Sequence, residues 1–195
     1  MRRPTRVGWL VMGLVACLGL GLQAGPTLAS LCVWRNPDAD IAAFFGGGNY
    51  RTLIVRVGNK QGTIERLIGT RLDQDESELK FWPVSKDGRR VGTVASHLGK
   101  GDYGAVEVIM AIVQPPGSPA KIKAVRIQRD RERYREALRS AAFLDQFVGK
   151  TAASPLKTGQ DIRTAHPGAM AASRAVGLSV KKLLVAYEQL GIANR

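Results

Sequence analysis

Residues 79–127, LKFWPVSKDGRRVGTVASHLGKGDYGAVEVIMAIVQPPGSPAKIKAVRI, decide the fold. Residues 79–84 are apolar and aromatic and run into Asp87-Gly88, a pair suited to a two-residue hairpin turn because both central positions need positive φ. Residues 90–95 return from that turn. Gly99, Gly101 and Gly104 then bracket Tyr103 in a loop, and residues 105–113 follow as the most apolar run outside the N-terminal segment. Such a run is expected at the centre of a sheet. Residues 115–119, PPGSP, read as a turn, and residues 121–127 supply another strand with basic residues on one face. Parallel neighbours would need long crossovers, so these short connections predict an antiparallel meander.

Outward from the meander, the pattern is helical at both ends. Asn36 to Asp40 are turn and capping residues before a short apolar group, residues 41–45, which Gly46-Gly47-Gly48 should end. Residues 52–57 are β-branched and apolar, closed by Gly58-Asn59, and read as a strand. Thr63 is expected to cap a helix with Ile64, Leu67 and Ile68 on one face. The acidic residues 73–78 read as a solvated loop. After the meander, Tyr134, Leu138, Ala141, Leu144 and Phe147 trace one helical face, stopped at Gly149-Lys150. Residues 151–167 are loop. From Gly168 onward Ala171, Ala175, Val176, Val180, Leu183, Leu184, Tyr187 and Leu190 mark the longest amphipathic helix. The expected class is α+β, an antiparallel meander packed with helices.

The chain has 195 residues, 45% hydrophobic and 23% charged, which suits one compact domain plus an extension. Its 29 basic residues against 16 acidic ones give +13. Setting aside Arg2, Arg3 and Arg6 leaves 26 against 16, or +10, so an anionic partner is expected. The first 30 residues have the three-part anatomy of an export signal: a basic start, a charge-free apolar run from Val7 to Leu22, and a polar, Pro-containing end. Cleavage before Ser30, lipid attachment at Cys17 and an uncleaved membrane anchor all remain open. Each puts residues 31–195 outside the cytoplasm, as a periplasmic domain or on the outer face of the cytoplasmic membrane. Export argues against nucleic acid as the anionic partner.

Chemistry-bearing motifs are few. Cys17 and Cys32 build no disulfide framework, and with only His97 and His166 to complement them no structural zinc site is expected. No Gly-X-Ser-X-Gly elbow accompanies the histidines, so a hydrolytic triad is not expected and His97 reads as a structural or surface residue. Gly99-Lys100-Gly101-Asp102-Tyr103-Gly104 precedes a strand where a dinucleotide fingerprint would precede a helix. No catalytic acid or base is implied. What remains is the helix start at residues 166–176, whose small residues leave backbone N–H groups open to an anion where the helix dipole favours negative charge. Close helix packing is the other reading of the same small residues.

Several blocks together carry a resemblance: Phe44-Phe45, IERLIG at 64–69, DGRRVG at 87–92, GDYG at 101–104, SAAFLDQFVGK at 140–150 and the Gly168-Ala169 helix start ending in Ser173-Arg174-Ala175-Val176. From about Pro37 to Leu190 the chain resembles the FMN-binding domain family, relatives of which occur in sodium-pumping and Rnf-type oxidoreductases and in regulators of nitrous-oxide reductase. The resemblance implies bound FMN and electron transfer to a membrane-bound or periplasmic redox protein, and the N-terminal segment leaves attachment to the inner membrane open. It also implies that Gly168, Ala169, Met170, Ala171 and Ser173 hold the phosphate, and that Gly101, Tyr103 and Gly104 lie against the flavin ring. Trp82 is the second choice for aromatic contact with the ring, or else a core or edge-strand residue. Family members with covalent flavin carry Ser/Thr-Gly-Ala-Thr, the last Thr being the acceptor. This chain reads Pro167-Gly168-Ala169-Met170, and methionine has no hydroxyl, so non-covalent FMN is expected. A cofactor-free accessory module with the same fold is the alternative.

Overall fold

The computed structural model describes residues 36–195, which make one compact unit. The expected export segment, with Cys17, Ser30 and Cys32, lies outside the described residues. In chain order the elements are α1 (Asp38–Phe45), β1 (Asn49–Tyr50), β2 (Leu53–Arg56), α2 (Gln61–Ile68), β3 (Glu78–Lys86), β4 (Arg89–Lys100), β5 (Ala105–Val113), β6 (Lys121–Arg129), α3 (Arg135–Arg139), α4 (Ala141–Leu144) and α5 (Met170–Gln189). The α+β class holds.

All pairings between the strands β1 to β6 are antiparallel. β3, β4, β5 and β6 form the meander in sequence order, and β1 and β2 pair successive parts of the outer edge of β3. Asp87 and Gly88 turn the β3–β4 hairpin at φ 50 and 72, the positive values such a turn requires. β5 is buried along nearly its whole length, as its composition requires. The edge pairing lapses between Tyr50↔Val84 and Leu53↔Phe81, beside Pro83, which has no N–H to donate to a ladder.

Alternation in the strands feeds two cores. Phe81, Ala95, Val108, Met110, Ile112, Val125 and Ile127 face α5, where Val176, Val180, Leu183 and Leu184 are fully buried. Each such side chain contributes roughly 1.5–3 kcal/mol by leaving water. On the opposite face Trp82, Val84, Val94, Ile109 and Ala111 pack against Ile41 and Phe44 of α1. The sheet is therefore covered on both sides.

Four local expectations are corrected. Gly99, expected in the loop with Gly101 and Gly104, lies in β4, paired with Val106 of β5. The helix expected over residues 134–148 is two short helices, because Ser140 takes an extended backbone (φ −66, ψ 144). Its hydroxyl accepts from the Phe143 amide at 3.3 Å as an N-cap and donates to the Ala137 carbonyl at 2.7 Å. The helix expected to be capped at Thr63 begins at Gln61, continuing a 3-10 turn over Gly58–Lys60. The acidic stretch expected as a solvated loop contains a 3-10 turn, Gln74–Ser77, closed by a reciprocal capping box of Asp73 and Glu76. Glu76 is buried.

Candidate functional site

The end of β4 lies against the first turns of α5. A Cβ placed on Gly99 would stand 3.2 Å from the Cβ of Ala175 and 2.8 Å from the Ser179 hydroxyl, so glycine is what permits this approach. Beside the contact is a pocket of about 340 Å³, walled by Leu98, Lys100, Ala171, Arg174, Ala175 and Leu178 and floored by Glu76, His97, Ser179 and Lys182.

The helix-start residues divide into two sets. Met170 and Ala171 are exposed, and a 3-10 turn, Pro167–Ala169, runs straight into α5, with the Ala169 amide donating to the His166 carbonyl at 2.9 Å. Ala169 and Ser173 are buried, and the Ser173 hydroxyl accepts from the Ala165 amide at 3.1 Å, tying the preceding loop to the helix. Gly168 is pressed against Tyr134: a Cβ there would stand 2.5 Å from the ring. Its amide donates to His166 Nδ1 at 3.0 Å.

In the β4–β5 loop, the Gly101 amide donates to the Gly104 carbonyl at 2.7 Å, and the Tyr103 amide donates to Glu132 Oε1 at 3.1 Å. Gly101 has no room for a Cβ because the Glu132 carboxylate occupies that space, and the Tyr103 ring is 57% exposed. Glu132 and Tyr134, two residues apart, thus hold the two sequence-selected clusters: one carries the loop and the other backs the helix-start turn. Lys100, adjacent to that loop, shares the pocket wall with Ala171; Gly101, Tyr103, Gly104, Gly168, Ala169, Met170 and Ser173 do not line the pocket. Trp82 sits apart, 3% exposed in the core beneath α1 on the opposite face of the sheet. It is a core residue, with no ring surface offered to this pocket.

The pocket floor escaped the sequence reading. Lys182 Nζ donates to both Glu76 oxygens, at 2.5 and 2.7 Å, and the Asp73 amide donates to Glu76 Oε2 at 2.7 Å. His97 Nε2 lies 2.5 Å from Glu76 Oε1 and Nδ1 lies 2.9 Å from the Ser179 hydroxyl. Burial opposes ionisation of Glu76, yet hydrogen bonds from His97 and Lys182 outweigh it and hold the carboxyl at about 2. The available signals were the capping-box spacing of Asp73 and Glu76 and the position of His97 on the Ala95 face of β4.

Ser179, His97 and Glu76 share the composition of a hydrolytic triad without its access. Ser179 is 1% exposed in the middle of a helix, beneath Gly99, where no acyl group can reach it. Among the described residues no group of His, Cys, Asp and Glu could hold a metal ion, and no helix is long and apolar enough to cross a membrane. The chain matches no protein-family model and no curated protein.

Proposed function

We propose that this protein is an exported flavoprotein that binds FMN non-covalently and relays electrons to a membrane-bound or periplasmic redox partner. The observation that supports the reading is the pocket between the end of β4 and the first turns of α5, where Ala171 and Arg174 face the strand end that leads into the Tyr103 loop.

The residues present fit the cofactor. A phosphate needs N–H donors and positive charge; the helix start at the exposed Met170 and Ala171 and the exposed Arg174 on the next turn are the groups that could supply them. A planar ring needs apolar walls, which Leu98, Ala175 and Leu178 provide, and about 340 Å³ lies within the usual range of small-molecule sites. FMN supplies the one- or two-electron chemistry when bound. The chain's part is to hold and shield: Gly168 and Tyr134 set the course of the helix-start turn, Glu132 fixes the Tyr103 amide, and Tyr103 offers an exposed ring. Arg131, Arg133 and Arg135, all exposed, give an acidic partner a surface to approach.

Titration of the purified protein with FMN and with riboflavin tests the reading. FMN should bind, turn the protein yellow, and bind far more tightly than riboflavin, because each charge-assisted hydrogen bond lost with the phosphate costs roughly 1.5–3 kcal/mol. Equal affinities would remove the phosphate site. Binding of neither would favour the cofactor-free accessory module, the reading to which Met170 at the acceptor position lends weight.

A further inference from the structure

We propose that Ser179, His97, Glu76 and Lys182 form a charge-balancing cluster in the pocket floor, in which His97 takes up one proton for each electron pair entering a flavin held above it. The inference rests on the FMN reading and names what the pocket floor does for it.

Packing does not account for these four residues. Glu76, His97 and Lys182 are 7%, 7% and 6% exposed between β4 and α5, beside a core of apolar side chains. An ion pair in such a place costs desolvation that apolar residues of the same volume would avoid. The group also sits at the pocket, and buried titratable clusters collect where proton chemistry is done.

The hydrogen bonds fix which atom exchanges the proton. Glu76 is ionised and receives Lys182, the Asp73 amide and His97, so Nε2 of His97 keeps its hydrogen throughout. Nδ1 is the variable position. In neutral His97 it accepts the Ser179 hydroxyl hydrogen; in protonated His97 it donates to the Ser179 oxygen. A serine in mid-helix can turn its hydrogen to the carbonyl four residues back, here Ala175, so rotation of one hydroxyl accommodates either state. No heavy atom has to move.

The charge balance closes in the same way. Lys182 offsets Glu76, and Asp73 offsets Lys100 at 3.2 Å on the rim, leaving Arg174 as the other charge on the pocket wall. Two electrons from an external donor, a redox protein in the cell or dithionite in the test, enter the ring with one proton and leave one negative charge. A second proton from solvent, placed on His97 Nδ1, offsets that charge, and nothing is expelled. His97 is a positioning and charge-balancing residue here, with no bond made to the ring.

The test uses the full protein loaded with FMN. The midpoint potential, followed between about pH 6 and 8 where an imidazole titrates, should fall with a slope of two protons per electron pair. In His97→Asn the slope should drop to one. The wild type supplies a readout that needs no variant: nitrogen-15 NMR should show His97 protonated at Nε2 alone in the oxidised protein and at both nitrogens after full reduction. FMN bound with the His97 ring unchanged on reduction overturns the charge-balancing role and leaves the flavoprotein reading standing. A protein that binds no FMN overturns both.

Discussion

Tyr134 stacks on His166 with ring centroids 4.0 Å apart and planes 18° from parallel, and the same tyrosine lies against Gly168. The turn that opens α5 is thereby clamped between an aromatic pair and the helix, and its course depends on the missing Cβ of residue 168. Gly168→Val must push Tyr134 aside or rotate the turn. FMN affinity should fall at least tenfold, about 1.4 kcal/mol, with riboflavin affinity changed much less. Fluorescence titration of both ligands reads the difference, and an unchanged FMN affinity removes the turn from the phosphate site.

Tyr103 is held by its backbone and not by its ring: the amide donates to the buried Glu132 carboxylate while the side chain stays in solvent. Stacking of that ring on a flavin should quench flavin fluorescence and add roughly 0.5–1.5 kcal/mol. Tyr103→Ala should lose that quenching and that increment. Glu132→Ala should produce part of the same loss by releasing the loop. Quenching retained in Tyr103→Ala would show that the ring lies elsewhere.

The Glu76–Lys182 pair predicts a characteristic non-additivity. Lys182→Met leaves a buried carboxylate with His97 and one amide, and should destabilise the domain by about 3–5 kcal/mol in urea unfolding. Adding Glu76→Gln should recover most of that loss, since a buried ion pair exchanged for neutral groups is close to neutral in free energy. A double variant no more stable than Lys182→Met would mean that the lysine acts by packing alone.

These pairings also mark how far the sequence could be read. The strands of the meander were legible because each carries its own apolar period and its own turn, Asp87-Gly88 above all. The floor of the pocket was not legible: Glu76 lies in an acidic run that looks solvated, and it becomes buried only when Lys182, 106 residues later, arrives on α5. Likewise Ser140 interrupts a helical period with a cap whose strength the period alone does not show. The helix start at Gly168 was visible as a run of small residues, but Tyr134, which shapes it, belongs to another segment and bears no local mark.

Acid should expose the Glu76 network. Its carboxyl is held at about 2 in the folded protein against an ordinary value of 4.5. A depressed carboxyl stabilises the fold fully above its unfolded value, and the contribution is lost as pH falls toward the folded value. The window is therefore between about pH 4.5 and 2, with a loss of about 3 kcal/mol across it. Urea midpoints measured down this range should fall steeply in the wild type and less so in Glu76→Gln. Equal slopes in the two proteins would assign acid sensitivity to other carboxylates.

The last prediction concerns attachment. A phosphoester link to FMN needs a hydroxyl nucleophile, and residue 170, exposed at the first position of α5, is methionine, whose thioether has no proton to give up. The nearest hydroxyl on the helix, Ser173, is fully buried and already accepts the Ala165 amide. Thr164 stands upstream of the Pro167 turn. Neither stands at position 170, so on the proposed reading the phosphate would rest on reversible contacts with the start of α5 and Arg174. Binding should weaken as salt rises, because exposed charge contacts are screened over about 10 Å at 0.1 M salt. Acid precipitation followed by a denaturing gel separates the cases: FMN should leave intact in the supernatant and the polypeptide band should be dark. Installing the hydroxyl by Met170→Thr, with a flavin transferase co-expressed, should turn the band fluorescent. A fluorescent band already present in the wild type would overturn the claim and direct the search to Thr164 and Ser173.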